Sequence, residues 1–221
     1  MIELPSSWHR FFLADLAIGG LFCDGDWVES KDQDPEGVVR LTQLADVGVG
    51  LFRHRSDRWM RQDQAESLNC TYLSAGDVLI ARMPDPLGRA CLVPEGLGQA
   101  VTAVDVAVLR VARGDVVPRF VMWALNSPDL HRQMLALQSG TTRKRISRKN
   151  LGGVRVPLPH VEEQRRIVKI LEDHLSRLDA ATALLEAARR RLVAMEASAL
   201  SVARAGPEVP LAELTEIQGG I

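Results

Sequence analysis

The apolar positions of this chain change their period near residue 157. Before that point they fall in short runs separated by turn residues. Val38–Leu44 (VVRLTQL), residues 77–82 (DVLIAR), residues 90–93 and residues 101–111 (VTAVDVAVLRV) are rich in β-branched side chains and predict strands. Loops are marked by MPDPLG at 83–88 and PEGLG at 94–98. Pro118–Leu137 predicts two helices broken at Ser127-Pro128, with Ser127 as N-cap and Pro128 at the first helical position. A short strand, VRVPLP, closes this part.

From 157 to 205 the pattern is helical. Leu171, Leu178, Leu185 and Leu192 recur every seven residues, and Ile167, His174, Ala181, Ala188, Met195 and Val202 fill the alternate seam positions. This is the 3-4-3-4 spacing of a coiled coil. After Pro159 no proline or glycine interrupts the run until Gly206-Pro207. Glu162 and Glu163 fall in the first turn, where they suit the positive end of the helix dipole. At 1.5 Å per residue the helix would be on the order of 65 Å long. The residues flanking the seam are densely charged, so only a narrow stripe is apolar, which fits pairing with one other helix. One seam position is mostly leucine and the other mostly small. Antiparallel pairing would set large against small and even out the layers, for example Leu185 against Ala181 and Leu178 against Ala188 of the partner helix. His174 on the seam reads as a polar register-setting residue.

The pattern predicts a mixed α/β (α+β) globular domain over residues 1–156, followed by a long coiled-coil-forming helix over 157–206. Residues 207–221 are expected to begin a second repeat. LAELTEIQGGI at 211–221 aligns with LADLAIGGL at 13–21 with a two-residue gap, directly after the helix, where a second copy of the domain would start.

Composition adds a charge pattern. The net charge is −1 and the hydrophobic content 46%, ordinary for a chain that buries a core. The balance hides local polarity. Residues 24–36 (DGDWVESKDQDPE) are dominated by acids, whereas 141–149 (TTRKRISRK) carry five basic groups and no acid. Thr141, Thr142, Arg143, Lys144, Arg145, Ser147, Arg148 and Lys149 offer forked and short-range donors for phosphates or base edges. A second run places Arg53, Arg55, Arg58 and Arg61 around Trp59. Two basic segments apart from an acidic one point to a one-sided nucleic-acid surface.

Catalysis has little support. No phosphate-binding glycine loop is present, and the five histidines lack a nucleophile or metal partner at motif spacing. Asp24, Asp26, Asp32 and Asp34 cluster in one acidic run, but a two-metal site draws its ligands from several elements. Cys23, Cys70 and Cys91 are odd in number and widely spaced, as expected of free thiols in a reducing cytoplasm. No run is long enough to span a membrane, and the N-terminus lacks a signal-peptide plan. No cofactor or metal is expected.

The order of these features resembles the specificity subunit of type I restriction–modification systems. The carrying residues are Gly76–Arg82 (GDVLIAR), Leu125–Pro128 (LNSP), Gly140–Thr142, Ile146-Ser147 and Pro157–Ile167 (PLPHVEEQRRI). LPSSW and GDWVESKDQDPEG also look like this family's opening. The resemblance covers almost the whole chain. It implies two recognition domains per full subunit, separated by two helices in an antiparallel coiled coil, each domain reading one half of a split site in double-stranded DNA. It also implies docking of methyltransferase subunits on the helices and recruitment of a restriction motor subunit. This sequence carries one such domain and one such helix, whose partner would be a second half or a symmetry mate in a homodimer. The competing expectation is a coiled-coil adaptor whose globular head binds protein.

Overall fold

The computed structural model describes residues 5–84, 86–140, 144–204 and 210. The chain divides into two compact units, Met1–Lys169 and Ile170–Ile221. In chain order the first half holds β1 (His9–Phe12), β2 (Leu21–Asp24), β3 (Val39–Thr42), β4 (Trp59–Met60), α1 (Gln62–Ser67) and β5 (Val78–Ala81). Then come β6 (Ala90–Leu92), β7 (Ala100–Thr102), β8 (Val106–Arg110), α2 (Pro118–Leu125), α3 (Pro128–Ala136), α4 (Arg148–Gly152), β9 (Arg155–Leu158) and α5 (Val161–Arg204).

The first unit is built around a four-stranded antiparallel sheet in the order β2-β8-β5-β6. Strand alternation gives it two apolar faces. Val78, Ile80, Ala107 and Leu109 turn to one face, where α2 and α3 bury Phe120, Val121, Leu125 and Leu130. Leu79, Ala81, Cys91, Val106 and Val108 turn to the other, covered by Val47 and Phe52. A three-stranded sheet, β4-β3-β7, has its own small core of Val39, Leu41, Met60, Ala65 and Val101. β1 pairs with β9, far along the chain, with His9 opposite Leu158.

The expected single strand at 101–111 is instead two strands in different sheets. β7 lies parallel to β3, whereas β8 lies between β2 and β5. The Val106 N–H donates back to the Ala103 carbonyl at 3.0 Å, closing a turn over 103–105. Apolar alternation continues through this turn, so periodicity alone does not reveal it.

The helical break at Ser127-Pro128 forms as expected, with the Ser127 hydroxyl accepting from the Leu130 N–H at 3.4 Å. Asn126 before it covers a sheet edge. Its side chain donates to the Ala90 carbonyl at 2.8 Å and accepts from the Ala90 N–H at 3.0 Å, as a neighbouring strand would.

The long helix begins at Val161 because Pro157 and Leu158 are held in β9. Its first turns belong to the first unit. Gln164 is fully buried there; its amide donates to the carbonyls of Asp115 (2.9 Å) and Pro159 (2.8 Å) and accepts from the Val117 N–H at 2.8 Å. Val117 is the N-cap of α2, and the residue after it, Pro118, has no N–H to satisfy. Val168 is buried and Ile167 partly buried against the same core. Within the second unit, the seam side chains Leu178, Leu185, Leu192 and Met195 are between 61% and 72% exposed. His174, Ala181 and Ala188 are exposed too, and Leu171 is half-buried. Among the described residues no helix is long and apolar enough to cross a membrane.

Candidate nucleic-acid interface

Four strand ends meet at one end of the central sheet. Asp24 ends β2 opposite Ala107, Ala81 ends β5 opposite Val106, and β6 starts at Ala90 opposite Ile80. The 144–149 segment and the Arg53–Arg55 part of the second basic segment are tied to this end.

The 144–149 segment is tied by Arg82, which follows β5. Arg82 is 4% exposed, and burial lowers its guanidinium from the ordinary value while Asp24 opposes that shift. It donates to the Ile146 carbonyl at 3.1 Å, the Val104 carbonyl at 3.0 Å and the Asp24 carboxylate at 2.5 Å. Its own carbonyl accepts from the Ile146 N–H at 2.9 Å, and the Ile146 side chain is fully buried. A charged buried side chain with this many acceptors is well satisfied and fixes what it bonds. Lys144, Arg145, Arg148 and Lys149 stand exposed around that anchor. Arg145 lies 3.9 Å from Asp105 and Arg148 3.8 Å from Asp24. These are partly exposed pairs of modest strength, which a phosphate can replace. Ser147 is used structurally, its hydroxyl accepting from the Asn150 N–H as the N-cap of α4. Arg148 and Lys149 therefore sit on the first turn of a short helix. Thr141, Thr142 and Arg143 lie outside the described residues.

The Arg53–Arg61 segment is tied by two further buried groups. Arg89 precedes β6 and donates to the carbonyls of Val47 (2.6 Å), Leu44 (2.8 Å) and Pro86 (3.0 Å). Asp46, with no exposure, accepts from the N–H groups of Gln43 (2.8 Å), Arg55 (2.7 Å) and Ser56 (2.8 Å), and from Arg40 at 3.4 Å. One carboxylate thus gathers the backbone on both sides of Arg53. Arg53 and Arg55 are exposed beside it. Arg58 and Arg61 are placed differently, flanking β4 on the three-stranded sheet. Arg61 makes a bidentate pair with Asp63 at 2.8 and 2.9 Å, which lowers the Asp63 carboxyl from its ordinary value. Asp34, Glu36 and Glu66 line the same cleft.

The structure thus brings Arg53 and Arg55 to the same sheet end as Arg145 and Arg148. Arg53 and Arg55 are tied at the β6 edge, whereas Arg148 reaches Asp24 at the β2 edge, three interstrand steps away, about 14 Å. The acids of 24–36 are largely engaged: Asp26 accepts from the Thr71 N–H at 2.9 Å, and Asp32 from the Glu29 N–H and the Gln64 amide, both at 2.9 Å. Burial raises the Asp26 carboxyl, against the Thr71 bond.

Sequence reasoning picked out the exposed cations but not the groups that position them. Arg82, Arg89 and Asp46 bond mainly to backbone, which leaves no complementary side-chain pattern. Asp46 had one legible signal: Gln43 and Asp46 have the spacing of a reciprocal N-terminal cap, and they form one.

A family model, the type I restriction modification DNA specificity domain, matches residues 56–189. That is more than half of the chain, and the chain belongs to this family. Solved structures agree in fold. A chain from work on complex assembly and conformational transition of the type I R-M system is 25% identical, with a TM-score of 0.63 over 86% of this chain and 45% of that one. The HsdS subunit from Thermoanaerobacter tengcongensis is 24% identical, with a TM-score of 0.59 over 81% of this chain and 40% of that one. The type I S subunit from M. genitalium is 17% identical, with a TM-score of 0.54 over 86% and 45%. The chain spans less than half the length of each. A comparison with curated proteins gives no match.

Proposed function

We propose that this chain is the DNA-recognition half of a type I specificity subunit, reading one half of a bipartite site in double-stranded DNA. The observation that carries this is the pair of exposed basic segments anchored at one end of one sheet, in a chain of this family. Arg53, Arg55, Lys144, Arg145, Arg148 and Lys149 are the nearest candidates for phosphate and base contacts. Arg58, Arg61 and the undescribed Thr141, Thr142 and Arg143 extend the set, and Ser147 shapes it. Residues 1–156 belong to the recognition domain, 157–206 to the spacer segment, whose helix begins at Val161, and 207–221 to the restart of the repeat. The helix pairs antiparallel with a second recognition half or with a second copy of the chain, and it docks methyltransferase subunits. The restriction motor subunit joins in the full complex. Methylation and cleavage belong to those partners; this chain binds without catalysis, in the cytoplasm.

Electrophoretic mobility of random-sequence duplex DNA at low and moderate salt tests the reading. Binding that falls steeply with salt is expected, because cations that neutralise phosphates release counterions. An unshifted duplex at low salt would sink it. The purified chain with S-adenosylmethionine should leave DNA unmethylated.

A further inference from the structure

The hairpin between Val47 and Phe52 ends in two uncovered apolar side chains, Val49 at 49% and Leu51 at 65% exposure. Single exposed apolar residues are ordinary, but these two are held unusually firmly. The Gly48 N–H donates to the Leu51 carbonyl across the tip, and the Gly50 N–H donates to Ala90 at the start of β6, both at 2.9 Å. Gly50 has φ +72°, and a Cβ there would lie 2.3 Å from Cη2 of Trp123, so only glycine seats the tip. Phe52 is buried beneath it, and the Arg53 N–H donates to the Asp46 carbonyl at 2.8 Å.

The residues that follow are Arg53, His54 and Arg55, all exposed. His54 has φ +48°, a conformation a non-glycine residue holds only when its surroundings impose it, and its ring meets Phe52 edge-on at 4.7 Å. A rigid tip with an aliphatic side chain beside two guanidinium groups has the chemistry of a major-groove reader. Guanidinium forks suit guanine or phosphate, and an aliphatic group suits the one apolar feature of the groove, the methyl group of thymine.

We propose that Val49–Arg55 is a base-reading finger in which Leu51 contacts the 5-methyl group of a thymine. This rests on the DNA-recognition function proposed above. Preorganisation by Asp46 and Gly50 means that little backbone order is lost on binding. Leu51 bears no charge, so its contact adds sequence preference without adding salt dependence.

The test is selection from a random-sequence duplex library with the wild-type chain and with Leu51→Ala. Thymines of the enriched duplex are then replaced one at a time by deoxyuridine, which lacks only the methyl group. Leu51 is largely exposed, so the variant should unfold at the wild-type temperature. The wild type should lose about 4-fold in affinity at one uracil position, the factor expected for one apolar methyl group buried. Leu51→Ala should be insensitive there, with an unchanged salt slope. Equal uracil sensitivity in both proteins, or none in the wild type, overturns the finger and leaves the DNA-recognition function standing. So does a Leu51→Ala loss shared equally by every sequence. A wild-type chain that enriches no sequence overturns that function, and the finger with it.

Discussion

Single buried side chains carry much of the local order in this protein, and each makes a distinct expectation. Asp46 holds the N–H groups of Gln43, Arg55 and Ser56. Asp46→Asn keeps the shape but turns one acceptor into a donor facing an N–H. A stability loss of about 1–3 kcal/mol is expected for a buried group left unsatisfied, together with weaker DNA binding. An unchanged urea midpoint with full binding would show that the loop holds itself. Gln164→Leu strands the Val117 N–H and two carbonyls, with an expected loss in the same range by urea titration. The cysteines give a chemical check. Burial pushes the Cys91 thiol up to about 12 and the Cys70 thiol up to about 11. At pH 8 the Cys70 thiolate is then about one part in a thousand, and the thiolate is the reactive form. Iodoacetamide should label the native chain slowly at Cys70 and not at Cys91 until the protein unfolds, as mass spectrometry would read.

At the scale of elements, the basic segment at 144–149 is the one whose contribution is easiest to separate. Replacing Lys144, Arg145, Arg148 and Lys149 with alanine should weaken DNA binding and flatten its salt dependence. The log–log slope should fall by about 0.9 for each phosphate that the variant leaves unneutralised. A variant with the wild-type slope would place the electrostatic attraction elsewhere. The elements most legible in the sequence were those with their own punctuation: β5 after Gly76, the α2–α3 break at Ser127-Pro128, and the long helix. β1 and β2 were not legible because short strands with partly exposed faces carry weak alternation, and β1 finds its partner about 145 residues away. The turn at 103–105 stayed hidden because the alternation of apolar and polar positions continues through it, with Asp105 in a polar place. Of the candidate interface, the exposed cations were visible as charge runs. Their separation into a sheet-end group and the acid-flanked Arg61 depends on tertiary pairing, which charge runs do not encode.

For the whole molecule, the central matter is what covers the seam of the second unit. Leu178, Leu185, Leu192 and Met195 are exposed along it in the single chain, and an apolar stripe this regular, left in water, favours pairing. If the partner is a second copy, the chain should sediment as a dimer. Changing both Leu178 and Leu185 to alanine should then give monomers, since each such truncation in a packed core costs about 2–5 kcal/mol. A wild-type chain that remains monomeric at high concentration would argue against self-pairing. Helices found parallel in a dimer would overturn the large-against-small packing argument.

Gln164 has a consequence for how freely such a protein can be altered. Among the described residues it bonds to the carbonyls of Asp115 and Pro159 and to the N–H of Val117, and to no side chain. Every residue presents the same carbonyl, and every residue except proline the same N–H. The joint between the helix start and the entry to α2 therefore makes almost no demand on the identity of its neighbours. Arg82 and Arg89 follow the same habit, reaching mostly for carbonyls. The surface side chains can be changed without disturbing these sockets, and under the proposed function the DNA sequence read would change with them.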